Sequence, residues 1–177
     1  MDPVIVGEIT MAIIDLIFDE KRNLFSIPVI LVKKPVRGIG NIPDKSSKLE
    51  WCNALMYVDT GSNLTSITEI EVDKLNLNRE AFKNQRVGGI GGFMETPTTN
   101  DVTITVMSRN SMIEVKLDKI AAHPSQLKRK IQKKQGVYVQ KGEEKLEMIC
   151  LFGLDALEKL GGKLELDVRN KSGKIII

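Results

Sequence analysis

Cysteine, histidine and tryptophan are scarce in this 177-residue chain, which has two, one and one of them. A disulfide-stapled scaffold needs several cysteine pairs, so that class is excluded, and two cysteines at 52 and 150 do not make a disulfide reading. With a single histidine and no Cys/His cluster at ligand spacing, neither a metal nor another cofactor is expected. Charge of one sign is lacking too: 26 basic and 23 acidic residues leave a net +3, too little to argue for a nucleic-acid partner. No apolar run is long enough to cross a membrane, and no signal-peptide pattern opens the chain. Residues 11–18 are apolar but interrupted by Asp15, which suits a strand. These absences point to a reducing, intracellular and cytoplasmic setting. With 42% hydrophobic and 28% charged residues, the chain reads as one globular domain over 1–177.

What is present centres on Leu55-Met56-Tyr57-Val58-Asp59-Thr60-Gly61-Ser62. An apolar, β-prone run ends abruptly in an acid, a hydroxyl and a glycine. A lone carboxylate at the end of a buried strand is costly, and chains keep one mainly where it has chemistry to do. Thr60 can fix the turn by a backbone hydrogen bond, and Gly61 lets the backbone approach a ligand closely. Alone, the tripeptide is equally a plain strand-to-turn junction. Two further stretches follow. Val87-Gly88-Gly89-Ile90-Gly91-Gly92-Phe93 sets four glycines around one aliphatic residue. Ile149-Cys150-Leu151-Phe152-Gly153-Leu154-Asp155 is a second apolar run into a glycine, then the start of a short helix.

In that order, the three stretches resemble the retropepsins, the aspartic proteases of retroviruses and LTR retrotransposons. Asp59 to Ile67 is similar to the family's catalytic loop, Gly88 to Phe93 to a lentiviral flap tip, and Leu151-Phe152-Gly153 to its hydrophobic-hydrophobic-glycine element. The helix-like segment 68–75 is closer to BEL/Pao-type retrotransposon proteases. The resemblance spans about residues 50–107 and 146–169. It implies an all-β fold, a retropepsin-like barrel with one or two short helices.

The resemblance also implies the chemistry. Peptide hydrolysis by carboxylates needs two of them, held about 3 Å apart and sharing one proton. The chain has one Asp-Thr-Gly, so the second must come from a second copy, and a C2 homodimer with Asp59 facing its symmetry mate is expected. Asp59 is then the acid/base, Thr60 braces the loop against its twin, Gly61 offers backbone to the substrate, and Ser62 holds the carboxylate in plane. Gly88, Gly89, Ile90, Gly91 and Gly92 form a lid, whose opening and closing needs the freedom of glycine. Tyr57, Leu64, Met148, Ile149 and Leu151 wall the pockets for an extended peptide or polyprotein segment. Viral members place an acid and an arginine where this chain has Asn63 and Leu154. Losing both leaves no unpaired buried charge.

An N-terminal extension over 1–48 is expected to form a β-hairpin, with runs at 9–18 and 24–32, and a loop at 35–48. Trp51 is expected in the core. Residues 102–106 and 112–117 read as paired strands, and 163–168 with 174–177 as a closing hairpin. Between Pro124 and Gly136 the spacing predicts a helix over 125–135, inside a run from Lys119 to Lys134 with six basic residues and no acid. That basic helical insertion near 119–136 reads as a solvated face, or as a contact for nucleic acid or an acidic partner. Nucleic-acid binding would call for interleaved aromatics, and the run has none. The alternative to a protease is a domesticated, catalytically silent module that keeps the fold and dimerises or binds partners.

Overall fold

The computed structural model describes residues 11–35, 49–89, 92–135 and 138–177. The described residues are all-β with two short α-helices. Its strands, in chain order, are β1 (Ile13–Asp19), β2 (Leu24–Lys33), β3 (Trp51–Val58), β4 (Ser66–Thr68), β5 (Lys83–Gly89), β6 (Gly92–Thr99), β7 (Val102–Met107), β8 (Met112–Val115), β9 (Ile120–His123), β10 (Gln126–Gln135), β11 (Tyr138–Glu147), β12 (Leu151–Phe152), β13 (Lys163–Asp167) and β14 (Ser172–Ile176). Helix α1 (Glu69–Lys74) follows β4, and α2 (Leu154–Leu160) follows β12.

Both helices have visible causes. Thr68 and Glu71 form a capping box at the start of α1. Gly161, at φ +68°, ends α2 in the left-handed conformation that glycine adopts without strain. The strands follow the alternation in the sequence: Phe25, Ile27, Val29 and Leu31 of β2 all point into the core, as do Val102, Ile104 and Val106 of β7.

Twelve strands form one sheet, in the hydrogen-bonded order β13-β14-β1-β2-β3-β12-β4-β9-β6-β5, with β7 and β8 branching from β2. Most pairings are antiparallel, but β12 lies parallel to β3, and β9 parallel to β4. Short β12 is thereby inserted between β3 and β4, the two strands that flank the Asp59 loop. No pairing closes the sheet between β13 and β5 among the described residues, so no closed barrel is seen there. The expected N-terminal hairpin is β1 with β2, and it joins the C-terminal hairpin through β1 and β14. The stretches expected to lead into β1 and to form the loop over 36–48 lie outside the described residues, as do Ile90 and Gly91.

Two expectations need correction. The segment 125–135 is not a helix: Gln126–Gln135 pairs antiparallel with Tyr138–Glu147 as a separate two-stranded ribbon. Its register sets Arg129 and Lys130 opposite Glu144 and Glu143, positions that a local reading of the basic run leaves out. Trp51 is not in the core either. Cys52 and Met56 turn inward, which turns Trp51 to the outer face of β3, 55% exposed.

Candidate active site

Strand β3 delivers the site. Met56 is fully buried and Val58 packs on the core, so alternation turns Tyr57 and Asp59 to the opposite face. The strand ends because the chain turns at Asp59-Thr60-Gly61-Ser62. The Ser62 amide donates to the Asp59 carbonyl (3.3 Å), and the Gly61 amide donates to Asp59 Oδ1 (2.9 Å). A Cβ on Gly61 would come within 3.2 Å of that oxygen, so a residue without one lets the amide face the carboxylate. Asp59 is half-buried, and its Oδ2 has no hydrogen bond among the described residues. Thr60 stands exposed beside it.

The loop is strapped from behind by the segment 150–156. Tyr57 and Asp59 donate their amides to the carbonyls of Cys150 (2.8 Å) and Phe152 (3.1 Å). The Leu154 amide donates to the Ser62 carbonyl (2.8 Å). Asp155 Oδ1 accepts from the Thr65 hydroxyl (2.6 Å), the Thr65 amide (2.9 Å) and the Ala156 amide (2.8 Å). In turn the Gly153 amide donates to Thr65 Oγ1 (3.1 Å). Gly153 passes so close to the loop that a Cβ there would meet the Leu64 carbonyl carbon at 2.7 Å and the Thr65 nitrogen at 2.8 Å. Asp155 is a site residue that sequence reasoning passed over. It lacks a following Thr-Gly, and its partner Thr65 lies 90 residues earlier.

Beneath the strap sits a buried carboxylate. Glu71 accepts from the Thr68 hydroxyl and amide and from the Cys150 thiol, the last at 3.2 Å. Burial pushes the Glu71 carboxyl up, but the Thr68 and Cys150 donors outweigh it and hold the group below its ordinary range. Burial, reinforced by Glu71, pushes the Cys150 thiol up to about 12, so it serves as a hydrogen-bond donor and not as a nucleophile. Cys52 and Cys150 are both free and buried.

The residues expected around Asp59 are placed unevenly. Leu151 lies in register with Tyr57, and Met148, Ile149 and Leu151 are half-buried along the edge leading to β12. Leu64 is buried. The Ser62 hydroxyl donates to the Leu64 carbonyl (2.8 Å) and not to the Asp59 carboxylate, so it stiffens the loop instead of holding the acid in plane. Tyr57 is only 6% exposed, because the β1–β2 turn covers it. Its hydroxyl donates to Asp19 Oδ2 (2.5 Å), and the Arg22 guanidinium stands 5.6 Å from its ring centre. Gly88, Gly89 and Gly92 lie at the end of the β5–β6 hairpin, with Gly89 opposite Gly92. That hairpin joins the strands of the loop through β9 and β4.

Among the described residues no group of three or more His, Cys, Asp or Glu side chains is placed to hold a metal ion. Nor is any described helix long and apolar enough to cross a membrane. No family model matches the chain, and no curated protein matches it. Chemically, the arrangement offers one carboxylate, with one oxygen that no described residue bonds, on a backbone-braced turn beside a half-buried apolar edge.

Proposed function

We propose that the chain is an aspartic endopeptidase of retropepsin type, which works as a C2 homodimer on extended peptide segments, such as those of a retroelement polyprotein. The observation that carries this reading is the Asp59 turn: its amide, its Oδ1 and the Ser62 carbonyl are all held by backbone, while no described residue bonds Oδ2. Fixing a reacting group in place before substrate arrives is what electrostatic and acid/base catalysis require.

The reaction needs a second carboxyl, and Asp155 cannot supply it, since one of its oxygens already takes three donors in bracing the loop. The second Asp59 therefore comes from a second copy, paired across a two-fold axis near the loop. One proton is shared between the two acids, because like charges at that distance cannot both ionise. The ionised carboxylate takes a proton from a water as its oxygen attacks the peptide carbonyl. The protonated one donates to the carbonyl oxygen, and the amine then leaves with a proton. The glycine-bearing β5–β6 hairpin is assigned the lid that excludes bulk water.

The test is cleavage of a mixed peptide library at mildly acid and neutral pH by the full chain and by Asp59→Asn. Cleavage that pepstatin-like inhibitors suppress, and that the substitution abolishes, is the expected outcome. Equal cleavage by both proteins would remove Asp59 from the mechanism.

A further inference from the structure

Beside the open carboxylate, the same face of β3 carries a cluster that a generic apolar pocket does not need. Tyr57 stands two residues before Asp59 and on its side of the strand, yet it is nearly fully covered. The cover comes from the β1–β2 turn. Asp19 Oδ2 takes the Tyr57 hydroxyl and Arg22 Nη1 (3.2 Å), while its Oδ1 takes the amides of Lys21 (2.9 Å) and Arg22 (3.2 Å). Arg22 then reaches from over the ring to Glu147 with its other terminal nitrogen. Glu147 immediately precedes Met148 and Ile149, so the guanidinium links two segments that flank the Asp59 loop from opposite ends of the chain.

The chemistry of that link is lopsided. Both Asp19 oxygens are occupied by four donors, and the Tyr57 hydroxyl bond is the main reason its carboxyl is held below the ordinary range. Burial and the Asp19 carboxylate both push the Tyr57 phenol up, so the ring stays neutral. Glu147 differs: one oxygen holds Arg22, the other has no hydrogen bond among the described residues, and the side chain is 69% exposed. Two carboxylates face one guanidinium, which leaves one negative charge in excess and one acceptor unused.

We propose that Arg22 and Glu147, seated on Tyr57, form a polar specificity wall of the peptide cleft, which selects a lysine or arginine side chain at one substrate position beside the cleaved bond. This rests on the protease reading above and narrows its substrate class. An extended peptide crossing Asp59 sends alternate side chains to the same face as Tyr57. The one that meets the wall finds the aromatic ring already covered by Arg22 and the open Glu147 oxygen at the rim. A basic side chain lays its stem along Arg22 and Met148 and pairs its head with Glu147. An acidic one meets excess negative charge.

The experiment profiles library cleavage by the full chain as it stands and by Glu147→Gln, Glu147→Lys and Asp59→Asn. Glu147 is mostly exposed, so neither substitution at 147 threatens the fold, and a thermal melt checks it. The expected result is enrichment of Lys and Arg at one position near the cut. The ratio of kcat/KM for Lys over Leu at that position falls about fivefold in Glu147→Gln, the contribution of one exposed ion pair. In Glu147→Lys the preference turns toward Asp and Glu. Cleavage that depends on Asp59 but whose profile is the same in all three residue-147 forms overturns the specificity wall and leaves the protease reading intact. No Asp59-dependent cleavage of any peptide overturns the protease reading, and the wall with it.

Discussion

The Asp59 loop and the β10–β11 ribbon are built on opposite principles. The loop, residues 59–65, adds to its own turn bonds a set made to a segment some 90 positions later, through Phe152, Gly153, Leu154 and Asp155. Among the described residues the ribbon pairs only with itself, ten residues against ten in unbroken antiparallel register, and shares no ladder with the main sheet. It is tied to the rest at its base, where the Met148 amide meets the Ser125 carbonyl (2.8 Å) and Ser125 meets Glu69. Non-local bonding couples the loop to the core, so damage there is felt globally. Self-pairing lets the ribbon open without the core following.

Substitutions sharpen that contrast. The largest effect is expected from Gly153→Ala, because the new methyl meets backbone atoms at 2.7 and 2.8 Å that cannot rotate away. Overpacking of this kind costs about 3 kcal/mol, read as a lower urea midpoint. Asp155→Ala comes next. It strands the Thr65 hydroxyl and amide and is expected to cost about 2 kcal/mol, with loss of cleavage beyond what the melt explains. Asp155→Asn keeps an acceptor and recovers most of both.

Glu71 gives the loop a pH signature. Its folded carboxyl is held below its unfolded value, so its stabilisation is complete above the unfolded range and fades as pH falls through the folded one. Wild type therefore loses stability on acidification below about pH 4.5, the ordinary glutamate value. Glu71→Gln is expected to cost about 1 kcal/mol at neutral pH and to flatten that dependence in urea titrations. The smallest effect is expected in the ribbon. Lys130→Pro disturbs the middle of the β10–β11 ladder and hastens hydrogen exchange across both strands, yet moves the global urea midpoint by only about 0.5 kcal/mol or less. A global loss as large as that of Gly153→Ala would erase the distinction between the two regions.

The same contrast explains what the sequence makes legible. Features encoded locally are readable: the stop of β3 at Asp59, the helix-like segment from 68, the glycines of the β5–β6 hairpin and the alternation of β7. The ribbon is misread because Lys, Arg and Gln are good helix formers, and Pro124 and Gly136 mimic helix ends. Its partner is the second strand, which sets Glu143 and Glu144 in register with Lys130 and Arg129 and lies outside any local window. Asp155 and Arg22 are invisible for a related reason. Each acquires its role only when the fold brings Thr65 or Tyr57 and Glu147 to it. Trp51 shows the limit of residue-type averages, since strand parity overrides the preference of a large ring for the core.

The central claim, that two chains each give one carboxylate to a shared site, is tested most directly by mixing subunits. Asp59→Asn chain is added in equal amount to a fixed quantity of wild type, under conditions of subunit exchange, and peptide cleavage is followed. Random pairing of the two kinds of subunit lowers activity to about half, because mixed dimers lack one acid. Activity that stays at the wild-type level despite exchange would mean that each chain cleaves alone, and would contradict the account.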